Sequence, residues 1–369
     1  MMPSRTVHDI VVVGGGLVGT ATAIGLRRQG LSVLILDGED DDHRASRGNF
    51  GLVWVQTKGH KVRPYAELSR EASRCWPEFA LYLKDLTGID VGLEDRGAFY
   101  LCLSEEEFEA RRALMARQFD ADLPVPGAYE MLARPELDRA MPGLGPLVFG
   151  ACYGRHDGAV NPLLLLRAVN AAFVAEGGEY RNSHTVTGIR RSGGGFEVAT
   201  AHSTHSCGKL VLAAGLGNNR LGAMVDISMD VRPVRGQILV TSKLPRMLHF
   251  PTHTIRQMPE GGFILGDSRE EVGFDSGTTP EVMAAIARKA IGCFPGLACA
   301  QLLRVWGGLR TFTDDGVPRY LRSPTHAGAF ALNVHSGVTL APLHASILAK
   351  AIADDDLEVR LPHFSRSRA

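Results

Sequence analysis

The chain has 369 residues, and its 40 lysines and arginines balance 40 aspartates and glutamates, so the formal net charge is zero. This balance argues against a nucleic-acid-binding protein, which usually carries a basic excess, and against an acidic disordered chain. A hydrophobic fraction of 45% and this length predict two or three globular domains with a sizeable core. The 42 glycines follow no G-x-y period, which excludes collagen.

The six cysteines are scattered along the chain, and none forms a C-x-x-C pair. This pattern argues against a structural zinc site and is typical of a reduced, cytoplasmic protein. The first apolar run, Ile10–Val13, is too short for a signal peptide, and no run reaches 18 apolar residues. We therefore expect no metal site and no membrane span.

The N-terminal region predicts a β-α-β unit of about thirty residues. Asp9–Val13 is a short apolar strand, Leu17–Gln29 has apolar residues at helical spacing, and Leu31–Leu36 is a second apolar strand. Such a unit begins a doubly wound α/β sheet with a right-handed crossover.

The rest of the chain alternates helices and strands without an internal repeat. Asn161 and Pro162 are suitable as the N-cap and first residue of a helix that runs to about Glu176. The other predicted helices are 64–87, 104–120, Pro280–Phe294 and Ala341–Ala353. The other predicted strands are Lys209–Ala214, Gln237–Thr241, Phe263–Leu265 and Ala329–Val334, of which the second and third belong to a second sheet.

The turn after the first strand fits the G-x-G-x-x-G dinucleotide fingerprint. Gly14 would permit the tight turn, Gly16 would let a pyrophosphate approach the backbone, and Gly19 would let helix and strand pack closely. The helix N-terminus would receive the phosphate charge, and Asp37, at the end of the second strand, would accept hydrogen bonds from a ribose hydroxyl. The fingerprint alone does not distinguish NAD from FAD, and a glycine turn without a nucleotide is the alternative.

Several later segments resemble the D-amino-acid oxidase family of FAD enzymes, which includes glycine oxidase and sarcosine oxidase. The matching segments, in family order, are Ser46–Gly51, Asp157–Pro162, Lys209–Gly215, Arg235–Gln237, Trp306–Pro318 and His335–Pro342. A narrower match, ASRGNFGLVWVQ at Ala45–Gln56 followed by Lys58 and Gly59, is similar to the B (β) subunits of opine oxidase and D-hydroxyproline dehydrogenase and to the hydrogen cyanide synthase C subunit.

The resemblance implies an α/β fold with two discontinuous domains. A Rossmann-like FAD-binding domain of the glutathione-reductase type would comprise residues 1–85, 150–225 and 305–369. An α+β substrate domain, built on an antiparallel sheet, would comprise residues 86–149 and 226–304.

The resemblance also implies which residues hold the FAD. Residues 304–318 contain no cysteine, so the flavin is expected to be non-covalent. The expected FAD-binding residues are Gly14, Gly16, Leu17, Val18, Gly19, Asp37, Gly38, Ser46, Arg47, Gly48, Asn49, Gly51, Leu52, Val186, Ala214, Gly215, Gly308, Arg310, Ser336, Gly337, Val338 and Thr339.

In this family a hydride passes from the carbon bearing nitrogen to the flavin, which yields an imine that water hydrolyses. By the resemblance, Arg310 would anchor the substrate carboxylate through its planar guanidinium. The alternative is a structural arginine paired with Asp314 or Asp315. His335 and Ser336 would lie near the flavin ring, where the alternative is a simple strand-to-helix turn.

Two further residues, His253 and Arg256, are expected on the substrate sheet. Arg256 would supply a second cation for a substrate with two carboxylates, such as an opine, although an ordinary sheet residue is the alternative. The implied protein is the catalytic β subunit of a hetero-oligomeric amine or amino acid dehydrogenase. By the resemblance, partner subunits would carry an extra FMN or iron–sulfur centre. A stand-alone oxidase that produces hydrogen peroxide and a non-catalytic flavin-binding assembly subunit are the alternatives.

Overall fold

A computed structural model describes residues 7–38, 45–119 and 127–365. Its strands, in chain order, are β1 (Val7–Val13), β2 (Val33–Leu36), β3 (Leu52–Val53), β4 (Ala98–Cys102), β5 (Tyr129–Ala133), β6 (Gly150–Gly154), β7 (Gly158–Ala159), β8 (Glu179–Arg181), β9 (Val186–Ser192), β10 (Gly195–Thr200), β11 (Thr204–Leu212), β12 (Arg232–Thr241), β13 (Ile255–Gln257), β14 (Phe263–Leu265), β15 (Leu302–Phe312), β16 (Arg319–Arg322) and β17 (Ala329–Asn333).

The helices alternate with these strands. In chain order they are α1 (Leu17–Arg27), α2 (Arg63–Thr87), α3 (Glu105–Phe119), α4 (Arg134–Ala140), α5 (Pro162–Ala175), α6 (Asn218–Gly222), α7 (Pro280–Cys293), α8 (Gly337–Leu343), α9 (Ala349–Ala353) and α10 (Leu357–Arg360). As predicted, Asn161 caps α5, and its side chain accepts the N–H groups of Leu163 and Leu164.

The largest sheet is mostly parallel and contains the predicted β-α-β unit. Its strand order is β16-β17-β11-β1-β2-β8, and β10 and β9 extend it from β11 as a hairpin. Strand β1 pairs in parallel with both β2 and β11, so Val13 lies beside Leu36 on one side and Leu212 on the other. The near-continuous apolar sequence of β1 fits this central position, where both faces are covered.

A second sheet is antiparallel, with the order β13-β14-β12-β15. The pairing of β12 with β15 runs from Arg232–Phe312 to Thr241–Leu302. A three-stranded antiparallel sheet, β4-β6-β5, packs nearby, because Phe99 of β4 belongs to the same apolar core as Phe263 of β14. The predicted fold class, an α/β dinucleotide-binding fold with a second part built on an antiparallel sheet, is confirmed.

Two strand pairings affect the expected domain boundaries. Strand β6, which begins at residue 150, pairs along its length with β4 and β5. Residue 305 falls inside β15, whose pairing with β12 continues to Phe312. We propose to divide the chain at the borders of the sheets. The second FAD-binding segment then begins after β6, and the third begins after β15.

The last helical region begins earlier than predicted. The helix starts at Gly337 rather than at Ala341, and a π-helical turn, His344–Leu348, joins α8 to α9. Within the described ranges, no helix is both long and apolar enough to cross a membrane. The same part of the chain contains no group of three or more histidine, cysteine or acidic side chains placed to bind a metal.

Candidate active site

A cavity of about 710 Å³ opens where β1 and β2 end and α1 begins. Ligands of open α/β sheets bind at this edge, outside the carboxyl ends of the strands. Among its walls are the fingerprint turn, residues 45–47 and 49, the turn after β11, and residues 332–335, 337 and 338. The fold therefore brings together segments that lie more than 300 residues apart in sequence.

The fingerprint glycines have the geometry that the sequence predicts. Gly14 has φ of +111°, and a Cβ there would overlap the carbonyl group of Ala213. A Cβ on Gly19 would overlap the carbonyl oxygen of Gly14, and one on Gly16 would lie 2.9 Å from the Ser46 hydroxyl. Gly14 and Gly19 thus permit the close approach of β1, α1 and β11, and Gly16 leaves the cavity floor open.

The N-terminus of α1 faces this cavity without a side chain capping it from Gly16. Ser46 accepts the N–H of Leu17 at 2.9 Å, so this predicted contact residue orients the first turn of the helix. Leu17 and Val18 both line the cavity. Backbone N–H groups and the helix dipole at such a terminus are suited to a pyrophosphate.

The predicted ribose end of the cavity contains a residue that sequence reasoning missed. Three predicted FAD-binding residues, Asp37, Gly38 and Val186, line the cavity there. Tyr180 of β8 lines it as well, and its hydroxyl donates to Asp37 Oδ2 at 3.0 Å. No local motif marks Tyr180, because only the parallel pairing of β2 with β8 brings it beside Asp37.

Some predicted FAD-binding residues line the cavity, and others support its walls. Asn49 lines it and holds the loop through bonds to Ser46 and Gly51. Gly51, with φ of +81°, packs against the Val160 carbonyl, and Leu52 belongs to β3. A Cβ on Gly308 would lie 2.9 Å from the carbonyl oxygen of Gly48. Five other predicted FAD-binding residues line the cavity, namely Arg47, Ala214, Gly215, Gly337 and Val338.

Ser336 and Thr339, both predicted flavin contacts, are turned into the protein. The Ser336 hydroxyl is 2.7 Å from the hydroxyl of Tyr65, and Thr339 accepts the N–H of Trp54 at 2.9 Å. Both side chains are buried, and neither lines the cavity. Their hydrogen bonds fix the start of α8 against α2 and the segment after β3, so they orient the site instead of forming its surface.

His335, a predicted site residue, lies on the cavity wall and stacks on Phe312 with 4.1 Å between ring centres. Burial, followed by the positive charges of Lys58, Arg310 and Arg269, lowers its pKa well below the usual range. His335 is therefore neutral at physiological pH. Its Nδ1 and the Oδ1 of Asn333 are buried without a partner among the described residues, and both residues line the cavity.

Arg310 lies on β15 between two residues that line the cavity, Leu309 and Thr311. Its Nη1 forms a 2.6 Å ion pair with Oδ2 of Asp267, and its Nη2 donates to the carbonyl groups of Arg235 and Ser268. The expected alternative partners are wrong, because Asp314 instead lies 3.5 Å from Arg232, and Asp315 pairs with Arg319. Asp267 had no sequence signal, since it comes from the loop after β14.

The structure does not place His253 and Arg256 in the cavity. The guanidinium of Arg256 is 1% exposed, donates to the Val160 carbonyl and pairs with Glu94 at 3.5 Å. These contacts correct the expectation of a free second cation. The ring of His253 stacks on Tyr100 at 3.9 Å, and burial lowers its pKa well below the usual range.

Asp157, known from the sequence only as part of a motif before a helix, anchors the segment 55–58, which follows β3. Its carboxylate accepts the N–H groups of Val55 and Gln56 and the side-chain amide of Gln56. Burial raises the pKa of Asp157 to about 7. Lys58 ends this segment, and burial, then the charge of Arg310, lowers its pKa to about 8.

These features fit FAD. The glycine cradle leaves space for a pyrophosphate, Asp37 lies at the expected ribose position, and the unpartnered atoms of Asn333 and His335 offer hydrogen bonds to a polar ring. FAD also explains a cavity that continues from the fingerprint turn to α8.

Comparisons with known proteins agree with this geometry. A family model described as DAO: FAD dependent oxidoreductase matches residues 9–351. The chain is 44% identical to the B subunit of opine oxidase from Agrobacterium tumefaciens (strain Ach5), covering 98% of this chain and 97% of that protein. It is 42% identical to the corresponding B subunit from Rhizobium meliloti, with the same coverage of both chains.

The fold resembles that of solved oxidases. The crystal structure of glycine oxidase from Geobacillus kaustophilus superposes with a TM-score of 0.89 at 25% identity, covering 98% of this chain and 99% of that chain. The family model, the full-length relatives and the glycine-built cavity agree. The chain therefore belongs to the DAO family of FAD-dependent oxidoreductases, and it is an enzyme of the amine and amino acid oxidase and dehydrogenase type.

Proposed function

We propose that this chain is the catalytic β subunit of a hetero-oligomeric dehydrogenase that oxidises the C–N bond of a secondary amino acid, of the opine or hydroxyproline type. The observation that carries the proposal is a cavity built on the glycine fingerprint, with the guanidinium carbon of Arg310 5.7 Å from the centre of the Phe312 ring that stacks on His335 of the cavity wall. The two relatives above are both named as a B subunit of an opine oxidase, which supports the substrate class and the partner subunits.

The cofactor would be held by the residues that the cavity exposes. Gly14, Gly16 and the first turn of α1 would receive the pyrophosphate, and Asp37 would accept hydrogen bonds from a ribose. When bound, FAD would accept a hydride from the carbon bearing the substrate nitrogen, which leaves an imine for water to hydrolyse. No cysteine lies in residues 304–318 to tether the ring, which supports non-covalent binding.

Arg310 would orient the substrate by its carboxylate. Two N–H groups of Nη2 and one of Nη1 already have acceptors, and Nε lies 3.4 Å from the Val234 carbonyl. Among the described residues, one N–H of Nη1 is left for a carboxylate, and a bidentate contact requires Asp267 to move. His335, neutral and buried, would offer a hydrogen bond without a competing positive charge.

The partner subunits would carry the electrons onward. An extra FMN or iron–sulfur centre would belong to those subunits. A stand-alone oxidase and a non-catalytic assembly subunit are the competing functions.

The test is to purify the holoprotein alone and with its partner subunits and mix each anaerobically with opines, proline analogues and D- and L-amino acids. Bleaching of the flavin absorbance without rapid peroxide formation in air is the expected result. Rapid peroxide production by the isolated chain would identify an oxidase, and no bleaching in the complete complex would leave only the assembly role.

A further inference from the structure

Three cationic side chains act on the stacked pair of Phe312 and His335, of which His335 lines the cavity. The guanidinium carbon of Arg269 is 4.9 Å from the centre of the Phe312 ring, and that of Arg310 is 5.7 Å from it. The charge of Lys58 acts on His335 together with these two arginines. Lys58, Arg269 and Arg310 come from separate segments, and we call them the cationic cluster.

Within the described segments, a single member of the cationic cluster has a counterion. Arg310 is paired with Asp267, whereas neither Nζ of Lys58 nor the guanidinium of Arg269 forms a hydrogen bond or ion pair with any residue of those segments. Asp157, the other carboxyl group that acts on Lys58, is already engaged by Val55 and Gln56. Lys58 and Arg269 thus have no ion-pair partner in this part of the chain, and both act on His335 of the cavity wall.

The local structure holds Lys58 in this unfavourable position. Its backbone N–H donates to the Val55 carbonyl at 2.9 Å, and Gln118 donates to the Lys58 carbonyl at 3.0 Å. Like charges held together in a half-buried site repel one another, and the repulsion is relieved when an anion binds. Perturbed titratable groups next to a cavity wall are typical of a binding site.

We propose that Lys58 and Arg269 form a second carboxylate subsite beside Arg310, so that the substrate is a secondary amine carrying two carboxylates. This inference rests on the proposed function and assigns the second cation of that function to residues other than Arg256. Arg310 and Arg269 suit planar carboxylates, and Lys58 adds a point charge that either carboxylate can share.

The test compares two unreactive ligands in which sulfur replaces the amine nitrogen. Thiodiacetate has two carboxylates, and (methylthio)acetate has one. Their binding to the holoenzyme is measured from the perturbation of the flavin absorbance, so that no turnover is needed. We expect thiodiacetate to bind about tenfold more tightly at pH 7, as one added charge contact of about 1.4 kcal/mol provides. Lys58→Gln and Arg269→Gln should each remove most of this preference, and Lys58→Arg should retain it.

The matched control is Arg304→Gln, an exposed arginine near the other end of β15. It should leave the preference unchanged. Arg269 is exposed, so its substitution keeps the test valid even if a Lys58 variant does not fold. Equal affinity for the two ligands in the unmodified protein, or an equal loss for both in the variants, would overturn the subsite.

The same measurements separate this inference from the proposed function. A preference for thiodiacetate without flavin reduction by any amine would sustain the subsite and contradict the catalytic role. Reduction by iminodiacetate and by sarcosine (N-methylglycine) with equal kcat/KM would sustain the catalytic role and contradict the subsite.

Discussion

Asp267 Oδ2 accepts a 2.6 Å hydrogen bond from Nη1 of Arg310, so the expected substrate anchor is already paired with a carboxylate of the same chain. The side chains are 22% exposed for Arg310 and 46% exposed for Asp267, which leaves the pair accessible from solvent. A substrate carboxylate must therefore share Arg310 with Asp267 or displace it.

The first prediction concerns Arg310 itself. Arg310→Ala should raise KM for a carboxylated amine, because the lost charged contact contributes about 2–5 kcal/mol to substrate binding. Steady-state kinetics on the flavin-loaded protein measures the change. Unchanged kcat/KM would show that Arg310 does not anchor the substrate, whereas an unchanged flavin content confirms that the variant is folded.

A second prediction follows from the ion pair. Asp267→Asn keeps the size of the side chain but removes the competing charge, so KM for a carboxylated amine should fall several-fold. The matched control is Asp275→Asn. Asp275 lies on the same loop as Asp267, and its carboxylate pairs with Arg235 instead of Arg310. A higher KM in Asp267→Asn would mean that Asp267 positions Arg310 for binding rather than competing with the substrate.

The third prediction tests the glycine cradle. Gly14→Ala should abolish FAD binding, because the new Cβ would overlap the Ala213 carbonyl and φ of +111° strains any side chain. Gly30→Ala is the control, since Gly30 has φ of +83° but no other residue of the described ranges comes within 4 Å of where its Cβ would lie. The ratio of flavin to protein absorbance measures the outcome, and equal flavin loss in both variants would contradict a role for close packing.

The fourth prediction concerns pH and Asp157. Burial raises its pKa to about 7 from the ordinary 3.8, so the folded state binds a proton that the unfolded state releases between these values. Its contribution to stability is greatest at low pH and is lost as pH rises through 7. Asp157→Asn should therefore gain stability relative to the unmodified protein between pH 4 and pH 8, as measured by urea unfolding. A constant difference across this range would contradict the raised pKa.

The sequence predicted the parts of the site that depend on local backbone geometry. Gly14 and Gly19 have a required spacing within one turn, and Asn161 caps its helix through neighbouring N–H groups. Such features depend on a few consecutive residues, so their spacing is visible in the chain. The order of family-like segments likewise predicted the mostly parallel sheet and the antiparallel one.

The contacts that the sequence did not predict join distant segments. Tyr180 reaches Asp37 only through the pairing of β2 with β8, and Asp267 reaches Arg310 from a loop 43 positions earlier. Arg256 has the charge expected of a ligand, but its neighbours Val160 and Glu94 use that charge in the core. Side-chain type suggested a role only for Arg256, and tertiary packing determined the role of all three residues.

The most direct measurement is the anaerobic flavin spectrum of the complex, formed with its partner subunits, after addition of a secondary amino acid with two carboxylates, such as iminodiacetate. The predicted result is that the oxidised flavin absorbance is lost in the unmodified complex and is retained in the Arg310→Ala variant. An unchanged spectrum with every secondary amino acid tested, in a complex that contains FAD, would contradict the catalytic function.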